Sequence, residues 1–326
     1  MKNGQASLLS ILSNGALHSG ETLAHQLSIS RAAVWKSIKQ LESLGLEIEA
    51  ERGKGYRLNR SIELLSANNI KKHLALDVRQ SCQQLDVLFK ADSTNSVLLS
   101  RLENEQIHAH VVLAEYQSQG RGRRGNQWLA SIASGIMLSV GWRFEIAPNN
   151  SGLLSLFMGV AAARSLQSAG INNVGLKWPN DIIVDNQKIG GILIEVRGEA
   201  SGPLDVVIGI GINYQIPETI KPQIKQAVTD ICAHTYQEVS RNEFAAELIT
   251  NVFKVLQELE ANDGHDLLNE WRELDCHIEQ EAKLILPNEE IEGVLKGVDD
   301  QGALLMSVSG EIKSYNAGEI SLRVSA

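Results

Sequence analysis

Three arginines and three glycines fall within six residues at Gly120-Arg121-Gly122-Arg123-Arg124-Gly125, and Asn126-Gln127-Trp128 follows them. Such a segment cannot pack into a core. Glycines let the backbone wrap closely around a ligand and present its N–H groups, while guanidinium forks suit phosphate or carboxylate oxygens. The composition predicts an anion-cradling loop, mobile until its anion arrives; taken alone it also fits a solvated basic loop or an RNA-binding patch. It is not a Walker A loop, because G-x-x-x-x-G-K-[ST] occurs nowhere in the chain. Lys177-Trp178-Pro179-Asn180-Asp181 forms a second cluster, a strand end whose proline fixes a turn and directs three polar groups the same way. Lys188-Ile189-Gly190-Gly191 opens the next strand, and its adjacent glycines predict close approach of a ligand to the backbone, or a plain bulge. Gly209-Ile210-Gly211-Ile212-Asn213 lacks the third glycine of a dinucleotide fingerprint and runs into Tyr214-Gln215-Ile216-Pro217 instead of a helix, which excludes a Rossmann reading.

These clusters need strands to hold them. Apolar and alternating runs predict strands at 111–115, 135–142, 174–178, 182–184, 189–196 and 206–212, with a hairpin turn region at 180–188. Residues 66–76 read as a helix and 151–167 as the one long apolar helix among the strands. That layout predicts an α+β domain with a mostly antiparallel or mixed sheet.

The N-terminus carries a different pattern. A helix at 6–12 is stopped by Asn14-Gly15, Leu23 and Leu27 mark a second helix, and Ser28-Ile29-Ser30 forms the turn into a third. There Val34, Ile38 and Leu41 make an apolar stripe, while Arg31, Lys36, Lys39 and Gln40 lie largely off it. Alternation around Arg52-Gly53-Lys54-Gly55 predicts a hairpin with a basic tip. Together these predict a winged helix-turn-helix that contacts DNA through Ser30, Arg31, Lys36, Lys39, Gln40, Arg52 and Lys54; a protein-binding helical module is the alternative. Trp35 is assigned no base contact. Residues 1–63 hold eight Lys/Arg against six Asp/Glu, whereas the whole chain carries −9. DNA binding must therefore be local to this segment and needs help.

The 326 residues, 43% hydrophobic and 21% charged, fit a soluble chain of two or three domains. No apolar stretch approaches the ~20 residues that cross a bilayer, and residues 1–20 lack a secretory signal's apolar segment, so the cytoplasm is expected. Cys82, Cys232 and Cys276 are too far apart for a zinc site and are expected to be buried small hydrophobes. His108 and His110 could share one strand face but have no third ligand near them in sequence.

Asp92-Ser93-Thr94-Asn95, the arginine loop with Trp128, the Lys177-to-Asp181 cluster, Lys188 with Gly190-Gly191, and the Gly209-to-Asn213 run, in that order, resemble the motifs of biotin-protein ligases. With the winged helix in front, nearly the whole chain resembles the bacterial proteins that join a biotin-[acetyl-CoA-carboxylase] ligase to a biotin operon repressor. The resemblance implies an α+β multidomain fold. It comprises a winged helix-turn-helix over 1–63, a central mixed-sheet α/β biotin-protein ligase catalytic domain over 64–273, and a C-terminal SH3-like β-barrel over 274–326. Short strands readable at 282–286, 291–297, 303–308 and 312–315 agree with the last part.

The implied reaction has two steps: biotin and ATP give biotinyl-5'-AMP and pyrophosphate, and an acceptor lysine on biotin carboxyl carrier protein then takes the biotinyl group. A carboxylate, with a reference pKa of about 4, needs no base to attack phosphorus, so the first step calls for cations. By resemblance Arg123, Lys188 and Lys177 are catalytic, with Mg²⁺ bridging phosphate oxygens and no metal ligand in the protein. The acceptor ammonium, with a pKa of about 10.4, must lose a proton, and Asp181 is the expected base. The same resemblance places biotin at Ser93, Thr94, Asn95, Gln117, Gly120, Arg121, Gly122, Arg123, Lys188 and Gly191. It places the nucleotide at Arg121, Arg123, Arg124, Lys177, Asn180, Asn213 and Arg323, with residues 215–233 as the adenosine loop. Asn126 stands where the family often has a basic residue. Biotinyl-5'-AMP is also expected to act as corepressor, ordering the loops for a homodimer that spans the biotin operator, with no membrane partner. A lipoate- or octanoate-protein ligase and a non-catalytic biotin-sensing repressor are the alternatives.

Overall fold

Residues 4–146, 148, 151–198, 202–286, 289–316 and 321–324 are described by the structure, a computed structural model. The chain opens with helices α1 (Gly4–Leu12), α2 (Gly20–Leu27) and α3 (Arg31–Ser43), followed by a hairpin of β1 (Ile48–Glu51) and β2 (Gly55–Leu58). Ser19 and Ser30 start α2 and α3 by accepting from Thr22 N at 3.0 Å and Ala33 N at 3.2 Å. Leu8, Leu12, Leu23, Val34, Ile38 and Leu41 close into one small core.

That core recruits a residue from elsewhere. Ile132, just beyond the arginine loop, is buried in it, and its N–H donates to Leu44 O at 3.1 Å. Gly45 turns the chain out of α3 at φ +89°, and a Cβ there would stand 2.5 Å from the Cβ of Ser131. The connector after β2 is held as firmly. Glu63 accepts from Arg241 N at 2.6 Å and Ser240 Oγ at 3.0 Å, while buried Glu115 accepts from Arg241 Nη2 at 2.9 Å and Leu65 N at 2.5 Å. Further bonds from Arg241 to the Glu63 and Gly135 carbonyls offset the cost of burying this ion pair, although Arg241 Nε is buried without a partner.

The central part continues with α4 (Ala67–His73), α5 (Leu76–Ser81), β3 (Gln84–Leu88), α6 (Thr94–Leu102), β4 (His110–Ala114), β5 (Gly135–Phe144) and α7 (Leu154–Ser168). It then runs through β6 (Val174–Lys177), β7 (Asp181–Val184), β8 (Gln187–Gly198), β9 (Leu204–Asn213), α8 (Ile231–His234), α9 (Arg241–Asn262) and α10 (His265–Leu274). The single helix expected at 66–76 is two, because Leu74 and Ala75 adopt extended ψ values of 141° and 147°. The sheet order β3-β4-β5-β9-β8-β7-β6 is mixed, with only β3 and β4 parallel. Buried Ile136, Leu138 and Val140 of β5 and Ile208, Ile210 and Ile212 of β9 share one core with α7 and α9. By alternation, Ser139, Gly209, Gly211 and Asn213 face the other way.

Residues 275–324 contribute β10 (Glu281–Ile285), β11 (Glu290–Val298), β12 (Leu304–Val308), β13 (Glu311–Tyr315) and β14 (Ser321–Val324). They form one antiparallel sheet ordered β13-β12-β11-β10-β14, consistent with the SH3-like expectation. Two smaller expectations change. The three cysteines are half-buried, not buried. His108 and His110 do not share a strand face, since Ala109 between them has φ +56° and the His108 ring packs tilted against Trp142, their centroids 4.4 Å apart. Among the described residues no helix is long and apolar enough to cross a membrane, and no group of three His, Cys, Asp or Glu could hold a metal ion.

Candidate active site

A cleft of about 1340 Å³ opens on the polar face of the central sheet. Its floor is β5 against β9, where Ser139 pairs with Gly209 and Met137 with Gly211. Ser139, fully buried, presents its one hydroxyl proton to two acceptors, Asn95 Oδ1 at 2.5 Å and Thr94 Oγ1 at 2.7 Å. Gln117 Oε1 accepts from Thr94 N at 2.7 Å and Thr94 Oγ1 at 3.1 Å. Asn95 Nδ2 donates to Glu195 Oε2 at 2.9 Å and Leu193 O at 3.3 Å. Ser93, Thr94 and Asn95 are buried, so this is a dry, preformed set of short polar groups.

The glycines serve that floor in a way the sequence did not reveal. A Cβ on Gly209 would collide with the Asn95 carboxamide, and one on Gly211 would lie 2.7 Å from the Trp128 ring. Gly190 packs against Ile212 and the Gly211 carbonyl instead of meeting a ligand, whereas Gly191 borders the cleft beside Lys188 and Trp128. Trp128 Nε1 is buried without a hydrogen-bond partner, a donor left for whatever fills the cleft.

The rim is cationic. Lys188 Nζ pairs with Asp181 Oδ1 at 2.5 Å, and Arg121 grips Glu195 through two bonds of 3.0 and 2.8 Å. Burial pushes the Lys177 ammonium below its ordinary range; Asp181 opposes that shift and Lys188 adds to it. Burial likewise lowers Arg123, again opposed by Asp181. Cys276, beside Lys177, is pushed up to about 11 by burial. The arginine loop folds on itself as a short hairpin: Gly122 N donates to Asn126 O at 2.7 Å and Trp128 N to Gly120 O at 2.9 Å. Arg124 at its tip has φ 56°.

Of the residues expected at a site, Ser93, Thr94, Asn95, Gln117, Arg121, Gly122, Arg123, Arg124, Lys177, Asn180, Asp181, Lys188, Gly191 and Asn213 all line this one cleft. Gly120 is buried behind it against the Trp128 carbonyl. Asn180 spends its Nδ2 on Ile192 O at 2.8 Å, and Asn213 spends its own on Thr229 O at 3.0 Å and Lys188 O at 3.4 Å. Arg323 sits on β14 opposite Lys283; its side chain lies outside the described residues. Neighbouring Leu322 and Ile285 bring the C-terminal sheet to the cleft. Residues 221–228 close another side, with Lys188 N donating to Ala227 O at 3.0 Å and Thr229 N to Lys188 O at 3.1 Å.

Sequence reasoning missed Ser139 and Glu195. Ser139 had a faint signal, one hydroxyl in the otherwise apolar 136–140 run, but Glu195 reads like any outward charge on a strand.

On the winged helix, Arg31, Lys36, Lys39, Arg52 and Lys54 are exposed, with Lys39 on Glu42 at 2.7 Å and Lys54 on Glu51 at 3.1 Å. Ser30 caps its helix, and Gln40 Oε1 accepts from Gln5 Nε2 at 2.8 Å. Trp35 is 55% exposed on the same helix.

Comparison with known proteins matches this arrangement closely. The biotin/lipoate A/B protein ligase family model covers residues 88–213, an HTH domain model 5–57, and a biotin protein ligase C-terminal domain model 277–323. The bifunctional ligase/repressor BirA proteins of Salmonella typhimurium and Escherichia coli are each 38% identical over 97% of this chain, spanning 97% and 96% of their own lengths. A solved biotin protein ligase from Aquifex aeolicus in complex with biotin and ATP is 27% identical at a TM-score of 0.62, covering 74% of this chain and 100% of that one.

Proposed function

The chain belongs to the biotin/lipoate A/B protein ligase family, in its bifunctional ligase-repressor branch, and from that premise we propose how its cleft and its winged helix work. It is a biotin-protein ligase that joins biotin and ATP into biotinyl-5'-AMP, releases pyrophosphate, and passes the biotinyl group to a lysine of biotin carboxyl carrier protein. The observation that carries this reading is the pairing of a buried, neutral, hydrogen-bonding floor with a cationic rim in one cleft. Biotin needs that combination: its cyclic urea is neutral and polar at one end, and its carboxylate is an anion at the other.

In the first step the carboxylate oxygen attacks the α-phosphorus, and the bond to pyrophosphate breaks. Lys188, Lys177, Arg121, Arg123 and Arg124 neutralise charge on the carboxylate and the phosphates, and Mg²⁺ enters with the nucleotide. In the second step the lysine nitrogen attacks the acyl carbon and AMP leaves. Asp181, on the rim beside Lys188, takes the ammonium proton. The polar floor, Ser93, Thr94, Asn95 and Gln117 with Ser139 beneath them, holds the urea. Asn213, Asn180 and Arg323 serve the nucleotide side with residues 215–233.

Residues 1–63, 64–273 and 274–326 act as three domains. Biotinyl-5'-AMP is the corepressor, and two winged helices of a homodimer read the biotin operator. Beyond Gly191 the described pairings of β8 are with β9 alone, which supports an edge able to take a second strand.

The test is intact-mass measurement of a biotin carboxyl carrier domain incubated with this protein, biotin and Mg²⁺-ATP, with lipoate in a parallel tube. A biotin-sized gain that lipoate does not produce is expected. No gain with biotin would leave a non-catalytic sensor, and a gain with lipoate would reassign the substrate.

A further inference from the structure

Glu195 belongs to none of the motifs, yet it joins two of them. It sits on β8 opposite Val207, on the face that Gly191 and Leu193 present to the cleft. Both oxygens take the Arg121 guanidinium in a fork, Oε1 from Nη1 at 3.0 Å and Oε2 from Nη2 at 2.8 Å. Oε2 also accepts from Asn95 Nδ2 at 2.9 Å. An isolated, half-exposed ion pair would order little, but a fork shared with a buried carboxamide fixes geometry on both sides. A carboxylate only accepts, so Asn95 must point its Nδ2 at Glu195 and leave Oδ1 for Ser139.

We propose that Glu195 is a positioning residue that latches the arginine loop, through Arg121, to the Ser93-Thr94-Asn95 turn before any ligand is bound. The inference deepens the biotin-ligase reading, because the turn and the loop hold opposite ends of the same small molecule there. One carboxylate then sets the distance between the urea pocket and the cationic lid. It also offers Arg121 a partner that an incoming anion must replace.

Trypsin is a direct probe, since it cuts after arginine and the loop carries Arg123 and Arg124. In the ligand-free full chain, Glu195→Gln is expected to raise cleavage at these two sites about tenfold, the loss of a charge-assisted fork. Arg121→Met should do the same from the other side, and the double variant should be no worse than the worse single one. In steady-state biotinylation the change should fall on KM for biotin more than on kcat. Wild-type cleavage rates in both single variants would overturn the latch. So would additive effects, or faster cleavage in Glu195→Gln alone, because Glu195 would then act through the sheet and not through Arg121. If the wild-type chain failed to biotinylate an acceptor, the ligase reading would fall, while the ligand-free digestion would still decide the latch.

Discussion

On the floor of the cleft, Ser139, Thr94, Asn95 and Gln117 hydrogen-bond to one another at 2.5 to 3.1 Å, whereas on the rim Arg121 and Lys188 hold carboxylates of the protein itself, Glu195 and Asp181. The floor is dry and its geometry is set by packing. The rim is partly solvated, and its cations are parked on counter-charges that a stronger anion can displace. The contrast fits what each side is proposed to bind. A neutral urea repays a fixed array of donors and acceptors, since any misplaced one is left unsatisfied. An anion that gains charge during reaction is better met by cations kept charged in place beforehand.

If that division is right, substitutions on the two sides should fail differently. The largest effect is expected for Lys188→Ala, a fall in pyrophosphate release of about 10²–10³-fold, because the cation proposed at the reacting centre is lost. An effect confined to KM would place Lys188 with the floor. Next, Asp181→Asn should slow transfer from preformed biotinyl-5'-AMP by about 10²-fold and adenylation by less. Equal losses in single-turnover measurements of the two steps would refute the base and reduce Asp181 to the partner of Lys188. On the floor, Ser139→Ala should raise KM for biotin about tenfold through the unpaired groups it leaves, with kcat following far less. A kcat-dominated loss would erase the distinction between floor and rim.

The smallest effect concerns pH. Burial lowers the Lys177 pKa, so its positive charge is complete at low pH and is lost as pH rises, earlier than for an ordinary lysine. The adenylation rate should therefore decline on the alkaline side, and Lys177→Arg should move that decline to higher pH. A profile unmoved by this substitution would assign the decline to another group.

How much of this was legible without coordinates depends on the kind of signal. The three helices and wing, the strands bearing the clusters and the C-terminal strands all follow from local periodicity and capping. The 22-residue helix α9, longer than any read from the pattern, was missed although its signal is there: Phe244, Leu248, Ile249, Val252, Val255, Leu256 and Leu259 are buried at helical spacing, while Glu243, Lys254 and Glu260 are exposed. Strand β3 was also unread; it is five residues long and joins the sheet edge only through its partner β4. At the site, the arginine loop and the Lys177-to-Asp181 cluster announced themselves by composition, whereas Ser93, Thr94 and Asn95 were picked out only through the family resemblance. Of the two readings of the Gly190-Gly191 pair, Gly190 meets the plain one, since the β7–β8 register shifts beside it and Ile212 packs against it; a pair of glycines looks the same whether a ligand or Ile212 approaches it.

The sequence by itself determined which chemistry is present: guanidinium and ammonium groups beside glycines, and a basic helix-turn-helix on an otherwise acidic chain. Each of these is local, written within a few residues of its neighbours. Only the tertiary structure decided who pairs with whom, because a strand's period tells which side a residue faces but not what lies across from it. Pairing is what brings Glu195 to both Arg121 and Asn95, Asp181 to Lys188, and Ile132 into the core of the N-terminal helices.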